Sequence, residues 1–444
     1  MINKLGQIGV DSIDLIRSHN FSYNVLWNLK KTQHNTKEKL DFKVNKRIRK
    51  LLITAMDRVP FYQDLFSKKG ITSQDLTNIG LSLIPETNKP MLRPNFPKNL
   101  MAKGFEHRAV YNTTSGSTGE PFEFYNDTHA FPHRQASYML FNTWMGVGPH
   151  ERHIAFKSPG PMSTKDILRD RIFGKNRVSV LDINRKTVKK IVQRINEVNP
   201  VYFEGYTASL VNFARYVDEL SLELNVKPKA IIATSEDLID KHRKLLEDIF
   251  DSKVYNRYGS REFCGAVAQE CGSCEGLHVN AMLCKVEIVD ETGKSVAEGE
   301  RGKILITDLY NYVMPFIRYD IGDSAIKGPE NNDCDISFPR ITDITGREGQ
   351  FIISKNGTKT PFVTISAYLF RRSYTPHVFS YQFEQSKPGQ LLLRVIPTRK
   401  FTLDIKQEMY SYLEGALPDF TIEVEVVDDI PVTSSGKRPF LITL

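Results

Sequence analysis

Hydroxyl and glycine residues are concentrated in one segment, residues 112–121, which reads Asn-Thr-Thr-Ser-Gly-Ser-Thr-Gly-Glu-Pro. Such a segment offers closely spaced backbone N–H and side-chain O–H donors without bulky side chains, a combination that suits a polyphosphate ligand. Its pattern differs from the Walker loop, which ends in Gly-Lys-Ser or Gly-Lys-Thr, and from the dinucleotide Gly-x-Gly-x-x-Gly motif. Taken alone, the segment is explained equally well as a phosphate-binding loop and as a solvated turn.

Four further segments combine charged residues with turn-forming residues. They are residues 258–262 (Tyr-Gly-Ser-Arg-Glu), 319–323 (Tyr-Asp-Ile-Gly-Asp), 346–347 (Gly-Arg) and 431–437 (Pro-Val-Thr-Ser-Ser-Gly-Lys). Each has an ordinary explanation by itself, since Glu262 could pair with Arg261 on the surface and Asp323 could cap a turn. Lys437 could likewise be a tail lysine in a Ser-Ser-Gly loop. Only their joint order along the chain indicates a shared site.

A cysteine and histidine pattern, Cys271-x-x-Cys274-x-x-x-His278, has the spacing of half a zinc site, which Cys334 or Cys284 could complete. The predicted ligand set is Cys271, Cys274, His278 and Cys334, for a structural Zn²⁺ and not a catalytic one. The alternative is a set of reduced, partly buried thiols. The chain has 5 cysteines without dense spacing, which favours a reducing, cytoplasmic location over a disulfide framework.

Helical and strand patterns alternate from about residue 186 to residue 257, which is typical of a parallel α/β sheet. The predicted strands are residues 201–204, 230–233 and 253–256, and apolar residues at helical spacing lie between and after them, at 188–195, 210–220 and 245–249. Ligands of such sheets bind at the carboxyl ends of the strands. We therefore expect a site in the loops after Glu204, Ala233 and Arg257.

The pattern changes to alternating strands after residue 275, with predicted strands at 284–289 and 303–307 around a turn, which indicates an antiparallel subdomain. The last hundred or so residues, from about 346, predict a small α+β unit. Its predicted strands are residues 391–396 and 422–427, and its predicted helix is 403–413. The domain boundary is expected at residues 345–349.

Charge and hydropathy exclude several classes of protein. With 60 Lys and Arg against 52 Asp and Glu the net charge is +8, but the densest basic run, residues 30–50, has apolar residues at helical spacing. Its cations are therefore predicted to line the solvated face of an amphipathic helix, and nucleic-acid binding is disfavoured. We expect no membrane span, because no stretch approaches the roughly 18 apolar residues that a spanning helix needs.

In order and spacing, the hydroxyl-rich segment and the four later ones resemble the signatures of the adenylate-forming superfamily of acyl-CoA synthetases, luciferases and peptide-synthetase adenylation domains. Residues 59–62 (Val-Pro-Phe-Tyr) and 204–209 (Glu-Gly-Tyr-Thr-Ala-Ser) look most like the phenylacetate CoA ligase branch, especially its capsule-biosynthesis relatives. The resemblance spans roughly residues 40–444. It implies an α/β fold with a large N-terminal adenylate-forming domain of parallel-sheet subdomains plus an antiparallel β subdomain, residues 1–346. A small mobile α+β C-terminal lid domain, residues 347–444, would follow.

The resemblance implies ATP-dependent activation of a carboxylic acid as an acyl adenylate, with release of pyrophosphate and Mg²⁺ as the metal. The acyl group would then pass to CoA or to another thiol, amine or hydroxyl acceptor, with a polysaccharide pathway as one option. A catalytically silent nucleotide-binding scaffold of the same fold is the alternative function.

The resemblance also implies roles for individual residues. The catalytic set is Lys437, Thr118 and Glu262, of which Thr118 and Glu262 would position Mg²⁺. The phosphates of ATP would contact Ser115, Gly116, Ser117, Thr118 and Gly119, and Asp323 would accept from the ribose hydroxyls, with Arg347 assisting. The adenine pocket would be lined by Ser235, Glu236, Asn256, Arg257 and Tyr258. Thr114, Gly259 and Ser260 complete the set that would contact ATP. The acid would contact His133, Ser137, Tyr138, Tyr206, Thr234, Phe263 and Gly265. The superfamily often has a lysine after the loop proline, where this chain has Phe122.

Overall fold

The computed structural model describes residues 21–77, 80–114, 122–157, 164, 167–168, 170, 174–263, 265–330, 334–345, 351–357, 359–362, 377–430 and 439–443. Residues 21–32 are helical. The helices that follow are α1 (Lys37–Arg58), α2 (Pro60–Lys68), α3 (Lys89–Leu92), α4 (Phe131–Trp144), α5 (Val188–Val198), α6 (Thr207–Glu219), α7 (Asp240–Phe250) and α8 (Leu403–Ala416). The strands are β1 (Thr87–Asn88), β2 (Ala109–Thr113), β3 (Glu123–Asp127), β4 (His153–Lys157), β5 (Lys175–Ser179), β6 (Tyr202–Tyr206), β7 (Ala230–Thr234), β8 (Val254–Ser260), β9 (Gly265–Glu270), β10 (Leu277–Val279), β11 (Cys284–Val289), β12 (Arg301–Asp308), β13 (Tyr319–Lys327), β14 (Arg340–Thr345), β15 (Phe351–Ile353), β16 (Lys359–Pro361), β17 (Val378–Lys387), β18 (Gln390–Pro397), β19 (Thr421–Val426) and β20 (Leu441–Thr443).

Twelve of the described strands form one sheet in the order β11-β12-β13-β14-β10-β9-β8-β7-β6-β4-β5, with β1 added in parallel beside β13. Along the sheet, neighbouring strands from β5 to β8 pair in parallel. Neighbouring strands from β8 to β11, at the other end of this order, pair antiparallel. The predicted parallel and antiparallel parts are thus confirmed. They are joined through the antiparallel pair β8 and β9 into a single sheet.

The parallel half of the sheet carries helices on both faces. Helices α5, α6 and α7 coincide with the predicted apolar stripes, and the side chains they bury pack on Phe156, Phe203 and Ile231. Alternate residues of a strand point to opposite faces, so Tyr202 and Glu204 face the other way, toward α4. There Asn142 Nδ2 donates to Tyr202 Oη at 3.4 Å. This second face is the one that could enclose a small ligand between sheet and helix.

Helix α1 contains most of the basic run and has the predicted amphipathic character. It buries Leu40, Val44, Ile48 and Leu51 against a cluster that includes residues of α4. Among the described helices, none is both long and apolar enough to cross a bilayer.

The C-terminal part contains a four-stranded sheet in the order β19-β18-β17-β20, with α8 packed against it. The predicted helix at 403–413 and the strands at 391–396 and 422–427 are therefore confirmed as α8, β18 and β19. This unit contacts the parallel half directly. The guanidinium of Arg215 lies 4.8 Å from the centre of the Phe379 ring, and Lys241 Nζ donates to the carbonyl of Val378. Of the expected boundary residues 345–349, Thr345 ends β14 and residues 346–349 lie outside the described residues.

Candidate functional site

Two of the signature segments meet through a hydrogen bond between Tyr258 and Asp323. Tyr258 lies near the end of β8 and Asp323 lies in β13, and Tyr258 Oη donates to Asp323 Oδ2 at 2.8 Å. Burial, followed by the neighbouring Asp323 carboxylate, raises the pKa of Tyr258 well above its ordinary value. The phenol therefore remains a donor at neutral pH, and it fixes the carboxylate that the resemblance assigns to ribose.

The ends of the hydroxyl-rich segment lie beside the same strand. Thr114 N donates to Phe122 O at 2.9 Å, and Phe122 N donates to Thr114 Oγ1 at 3.0 Å. These two bonds join β2 and β3 at the points where the segment that connects them begins and ends. Arg261 Nη1, just beyond β8, donates to Thr113 O at 2.8 Å. Residues 115–121 themselves, with the predicted phosphate ligands Ser115, Gly116, Ser117, Thr118 and Gly119, lie outside the described residues.

Phe122, found where the superfamily often has lysine, is 1% exposed and stacks on Phe124 at 6.0 Å between ring centroids. Its side chain is therefore part of the hydrophobic core and does not extend toward a ligand.

Glu262 is 3% exposed, and its Oε1 lies 3.3 Å from Lys89 Nζ. Lys89 is the first residue of α3 and follows β1, whose residue Thr87 pairs with Tyr319 of β13. Burial and the Glu262 carboxylate raise the pKa of Tyr319, so its phenol also stays neutral. Carboxylate oxygen is a ligand that Mg²⁺ accepts, and Glu262 lies close enough to Tyr258 and Tyr319 to help raise the pKa of both phenols.

Lys89 is a residue of this site that sequence reasoning missed. A single lysine at this position carries no spacing signal, and only the pairing of β1 with β13 brings it to Glu262.

The loop after β7 is strained where the resemblance places the adenine pocket. Ser235 has a φ of 71°, which a residue with a side chain adopts rarely and at a cost of roughly 1–3 kcal/mol. Glu236 Oε2 accepts from Ala208 N at 2.7 Å, in the first turn of α6. The carboxylate thereby satisfies one free N–H at the helix start and holds the loop in place.

The predicted ATP-contacting residues of β8 have different surroundings. Asn256 N donates to Glu270 Oε2 at 2.8 Å. Gly259 has to be glycine, because a Cβ there would lie 1.7 Å from Gly265 O. The buried hydroxyl of Ser260 has no hydrogen-bond partner among the described residues, as expected of a group that a ligand would satisfy.

Arg257, also predicted for the adenine pocket, points to the α4 face of the sheet. It is 3% exposed and donates to Gln269 Oε1 at 2.5 Å and to Asn142 Oδ1 at 2.7 Å, with Glu204 Oε2 at 3.4 Å. The structure therefore places it in an interior polar network and not beside Tyr258.

Four of the predicted acid-binding residues come together. Tyr206 pairs with Thr234 in the sheet, and Tyr138 of α4 reaches Gly265, where a Cβ would lie 1.6 Å from Tyr138 Oη. Because Gly265 also has a φ of 116°, glycine is required there by both space and conformation. Arg257 lies over the Tyr138 ring at 5.2 Å. Tyr138, Thr234, Arg257 and Gly265 form a polar and aromatic wall between α4 and the sheet, whereas Tyr206 packs against the hydrophobic cluster that contains Phe156 and Phe203.

The other three predicted acid-binding residues have structural contacts. Ser137 is fully buried and accepts from Asn280 Nδ2 at 2.9 Å, while Phe263 is 2% exposed within an aromatic cluster. His133 stacks on Tyr310 with 3.8 Å between ring centroids, and burial lowers its pKa to about 4. Arg347 and Lys437 lie outside the described residues.

The cysteine and histidine pattern forms a compact cluster. The ligand atoms of Cys271, Cys274, His278 and Cys334 all lie within 4.8 Å of one another. Cys274 Sγ is 3.1 Å from Cys334 Sγ and 3.2 Å from His278 Nε2. His278 Nδ1 donates to Phe338 O at 2.9 Å, which directs Nε2 toward the sulfurs. The donor set and its closeness fit tetrahedral Zn²⁺, with Cys334 and not Cys284 as the fourth member.

Comparison with known proteins supports the resemblance. No protein-family model matches the chain. It is 24% identical to Protein CapK of Staphylococcus aureus over 396 residues, covering 86% of this chain and 84% of that protein. It is 25% identical to the phenylacetate-coenzyme A ligase of Thermus thermophilus over 410 residues, covering 84% of this chain and 85% of that protein.

Solved structures show the same fold. A 2-hydroxyisobutyryl-CoA ligase in the postadenylation state, with a bound adenylate, matches with a TM-score of 0.74 at 18% identity, over 93% of this chain and 91% of that one. An anthranilate CoA ligase with anthranoyl-AMP matches with a TM-score of 0.51 at 14% identity, over 74% and 65% of the two chains. The resemblance to the phenylacetate CoA ligase branch of the adenylate-forming superfamily, and the α/β fold that it implies, are therefore confirmed.

Proposed function

We propose that this protein activates a carboxylic acid with ATP, forming an acyl adenylate and releasing pyrophosphate. The observation that carries the proposal is the convergence at the end of β8. There Tyr258 donates a hydrogen bond to Asp323, and Arg261 donates one to the carbonyl of Thr113, at the end of β2. The buried carboxylate of Glu262 belongs to the residue that follows Arg261 in the chain. Segments that are 65 and 148 residues apart in the chain thus meet around the end of β8.

The residues fit the chemistry of this reaction. A carboxylate is a poor acyl donor because its oxygen leaves badly, whereas an adenylate has a good leaving group. Asp323 would accept from ribose hydroxyls, and Glu262 with Thr118 would hold Mg²⁺, which neutralises phosphate charge when bound. Lys437 would stabilise the charge that develops as pyrophosphate leaves. Two anions must approach each other in this reaction, so positive charge at the meeting point is its main requirement.

The relatives that are phenylacetate-coenzyme A ligases support CoA as the acyl acceptor, and an acceptor in polysaccharide biosynthesis stays an option that the sequence resemblance suggests. Another thiol, an amine or a hydroxyl group would receive the acyl group by the same attack on the adenylate. We include in the proposal the division of the chain at residues 346 and 347, with the C-terminal part acting as a lid that carries Lys437.

The test is pyrophosphate release with ATP and Mg²⁺ across a panel of carboxylic acids, for wild type, Lys437→Ala and Lys400→Ala. Lys400 is an exposed lysine of the same C-terminal part and provides the matched control. We expect acid-dependent release that falls by orders of magnitude in Lys437→Ala and is unchanged in Lys400→Ala. Consumption of the CoA thiol in a second step would identify the acceptor.

Equal release by wild type and Lys437→Ala would contradict the proposed role of that lysine. ATP binding without release for any acid would instead favour the silent scaffold.

A further inference from the structure

The outward face of α1 carries cations and exposed apolar side chains. Between residues 39 and 53 the exposed positions hold five cations, two large apolar residues and one asparagine, namely Lys39, Phe42, Lys43, Asn45, Lys46, Arg49, Lys50 and Ile53. The acidic residue of this stretch, Asp41, is half-buried. Over these described residues, about four turns of helix, the exposed side chains therefore carry positive charge and no negative charge.

Five of these residues form a continuous stripe. Positions 39, 42, 46, 49 and 53 follow one another at alternating steps of three and four, the spacing that places side chains on one face of a helix. We call Lys39, Phe42, Lys46, Arg49 and Ile53 the outer stripe. Phe42 is 72% exposed and Ile53 is 39% exposed. The two lie about 16 Å apart along the helix, with cations between them.

The opposite face of α1 fixes the helix to the rest of the molecule. Leu40, Val44, Ile48 and Leu51 are each at most 5% exposed and belong to the hydrophobic cluster that includes residues of α4. A rotation of α1 that buried the apolar residues of the outer stripe would expose this core. The outer stripe is consequently held on the outside of the protein.

The three cations of the outer stripe are without carboxylate partners among the described residues. The ion pair at the start of α1, between Lys37 and Glu330, lies outside the stripe. Within the described part of the chain, the side chains of Lys39, Lys46 and Arg49 make neither an ion pair nor a hydrogen bond. Like charges three or four residues apart destabilise a helix, so an external anionic surface would stabilise this face.

A further exposed aromatic residue lies in the helical residues 21–32 that precede α1. Trp27 is 59% exposed, and Lys31 Nζ lies 3.3 Å from the centre of its ring. Lys43 Nζ of α1 donates to Thr32 Oγ1 at 3.3 Å, which joins the end of that helix to α1. Tryptophan is enriched at membrane–water interfaces, where its amphipathic ring lies at the level of the headgroups.

We propose that the outer stripe docks this protein on the surface of an anionic phospholipid bilayer. In the docked state the three cations lie against lipid phosphates, and Phe42 and Ile53 lie between the headgroups. Each Lys or Arg near such a surface contributes roughly fivefold in affinity, and salt screens that contribution. The inserted apolar side chains add a contribution that does not depend on charge.

The pattern of the outer stripe favours a lipid surface over other anionic partners. A protein interface centres on a contiguous apolar core that is depleted of lysine, whereas here single apolar residues are separated by cations. Nucleic acid is disfavoured because the aliphatic side chain of Ile53 neither stacks on a base nor pairs with a phosphate.

The test is co-sedimentation of the full chain with vesicles of phosphatidylcholine that contain roughly 30% phosphatidylglycerol, against vesicles of pure phosphatidylcholine. The first variant combines Lys39→Gln, Lys46→Gln and Arg49→Gln. Its matched control, which removes the same three charges from exposed positions of α5, combines Lys189→Gln, Lys190→Gln and Arg194→Gln. The last variant is Phe42→Ser. Because every substituted side chain is exposed, each variant is expected to fold, and its Tm checks this.

We expect wild type to bind the anionic vesicles at low salt and to bind the neutral vesicles far more weakly. Removal of the three stripe cations should weaken binding by ~100-fold, from roughly fivefold for each charge, and the α5 control should retain binding. Phe42→Ser should weaken binding by ~10-fold, and this factor should change little as the ionic strength rises, because burial of the ring is not electrostatic.

Three results would overturn the proposal: no binding to anionic vesicles, equal binding to anionic and neutral vesicles, or an equal loss of binding in the stripe variant and its α5 control. Tighter retention on DNA or RNA than on anionic vesicles, lost with the three stripe cations, would overturn it as well and would assign this face to nucleic acid. The outer stripe contains no residue of the candidate nucleotide site, so none of these outcomes depends on the proposed function.

Discussion

We expect the cluster of Cys271, Cys274, His278 and Cys334 to bind one Zn²⁺ per chain. Zinc bonds of about 2.3 Å to sulfur and about 2.0 Å to nitrogen give tetrahedral edges of roughly 3.8 Å between sulfurs and roughly 3.5 Å between sulfur and nitrogen. The shortest sulfur separation is 3.1 Å, and His278 Nε2 lies 3.2 Å from both Cys274 Sγ and Cys334 Sγ. Metal entry therefore requires the donors to separate by at most about 0.7 Å, a shift that side-chain rotation can supply.

The assay is metal content after purification under reducing conditions, followed by Co²⁺ replacement, which gives a visible spectrum typical of tetrahedral thiolate ligation. Cys274→Ala should lose the metal, and Cys284→Ala, which removes a buried thiol outside the cluster, should keep it. The ion should stabilise the fold by ~4 kcal/mol when it is present at about 1,000 times its Kd, and a chelator should lower Tm accordingly. Equal metal content in the two variants, or no zinc in reduced wild type, would refute the assignment.

Three further predictions concern the nucleotide site, the acid-binding wall and acid stability. Asp323→Ala should weaken ATP binding by ~10- to 100-fold in calorimetry, since a hydrogen bond to a charged group is lost, and an unchanged Kd would contradict its ribose role. Gly265→Ala should lower the free energy of unfolding by ~2–4 kcal/mol in denaturant titration, because its Cβ would lie 1.6 Å from Tyr138 Oη at a φ of 116°. Burial lowers the pKa of His153 and of His242 from 6.5 to about 4, so the stability they contribute is present above pH 6.5 and lost as the pH falls toward 4. Each should cost about 3 kcal/mol over that range, from roughly 2.5 pKa units at 1.36 kcal/mol per unit, and His242→Gln should flatten the curve.

The fold was largely predictable because hydrophobic periodicity determines which faces are buried. The stripes on α5, α6 and α7 and the change from parallel to antiparallel strands after β8 both follow from that periodicity. The face of the sheet to which a given side chain points was harder to predict from the sequence. Arg257 stands between Asn256 and Tyr258 in one strand, and alternation turns it to the opposite face, into the network with Gln269 and Asn142.

Contacts that depend on distant pairing left no signal in the sequence. Lys89 meets Glu262 only because β1 pairs with β13, far along the chain. The short motifs at 258–262 and 319–323 predicted that a site exists, since such residue types rarely coincide in order. Their bond through Tyr258 and Asp323 required the tertiary structure.

Strand β9 links the cysteine cluster to the candidate site. It begins at Gly265, which is packed against Tyr138, and ends at Glu270, directly before Cys271. Between them Gln269 accepts from Arg257 and donates to Phe141 O of α4 at 2.9 Å, and Glu270 accepts from the backbone of β8. These bonds tie β9 to both β8 and α4, so it cannot shift alone. We therefore expect a metal that fixes Cys271 also to fix the position of Gly265 at the predicted acid-binding wall, so that the cluster would have a positioning role at a distance from the chemistry.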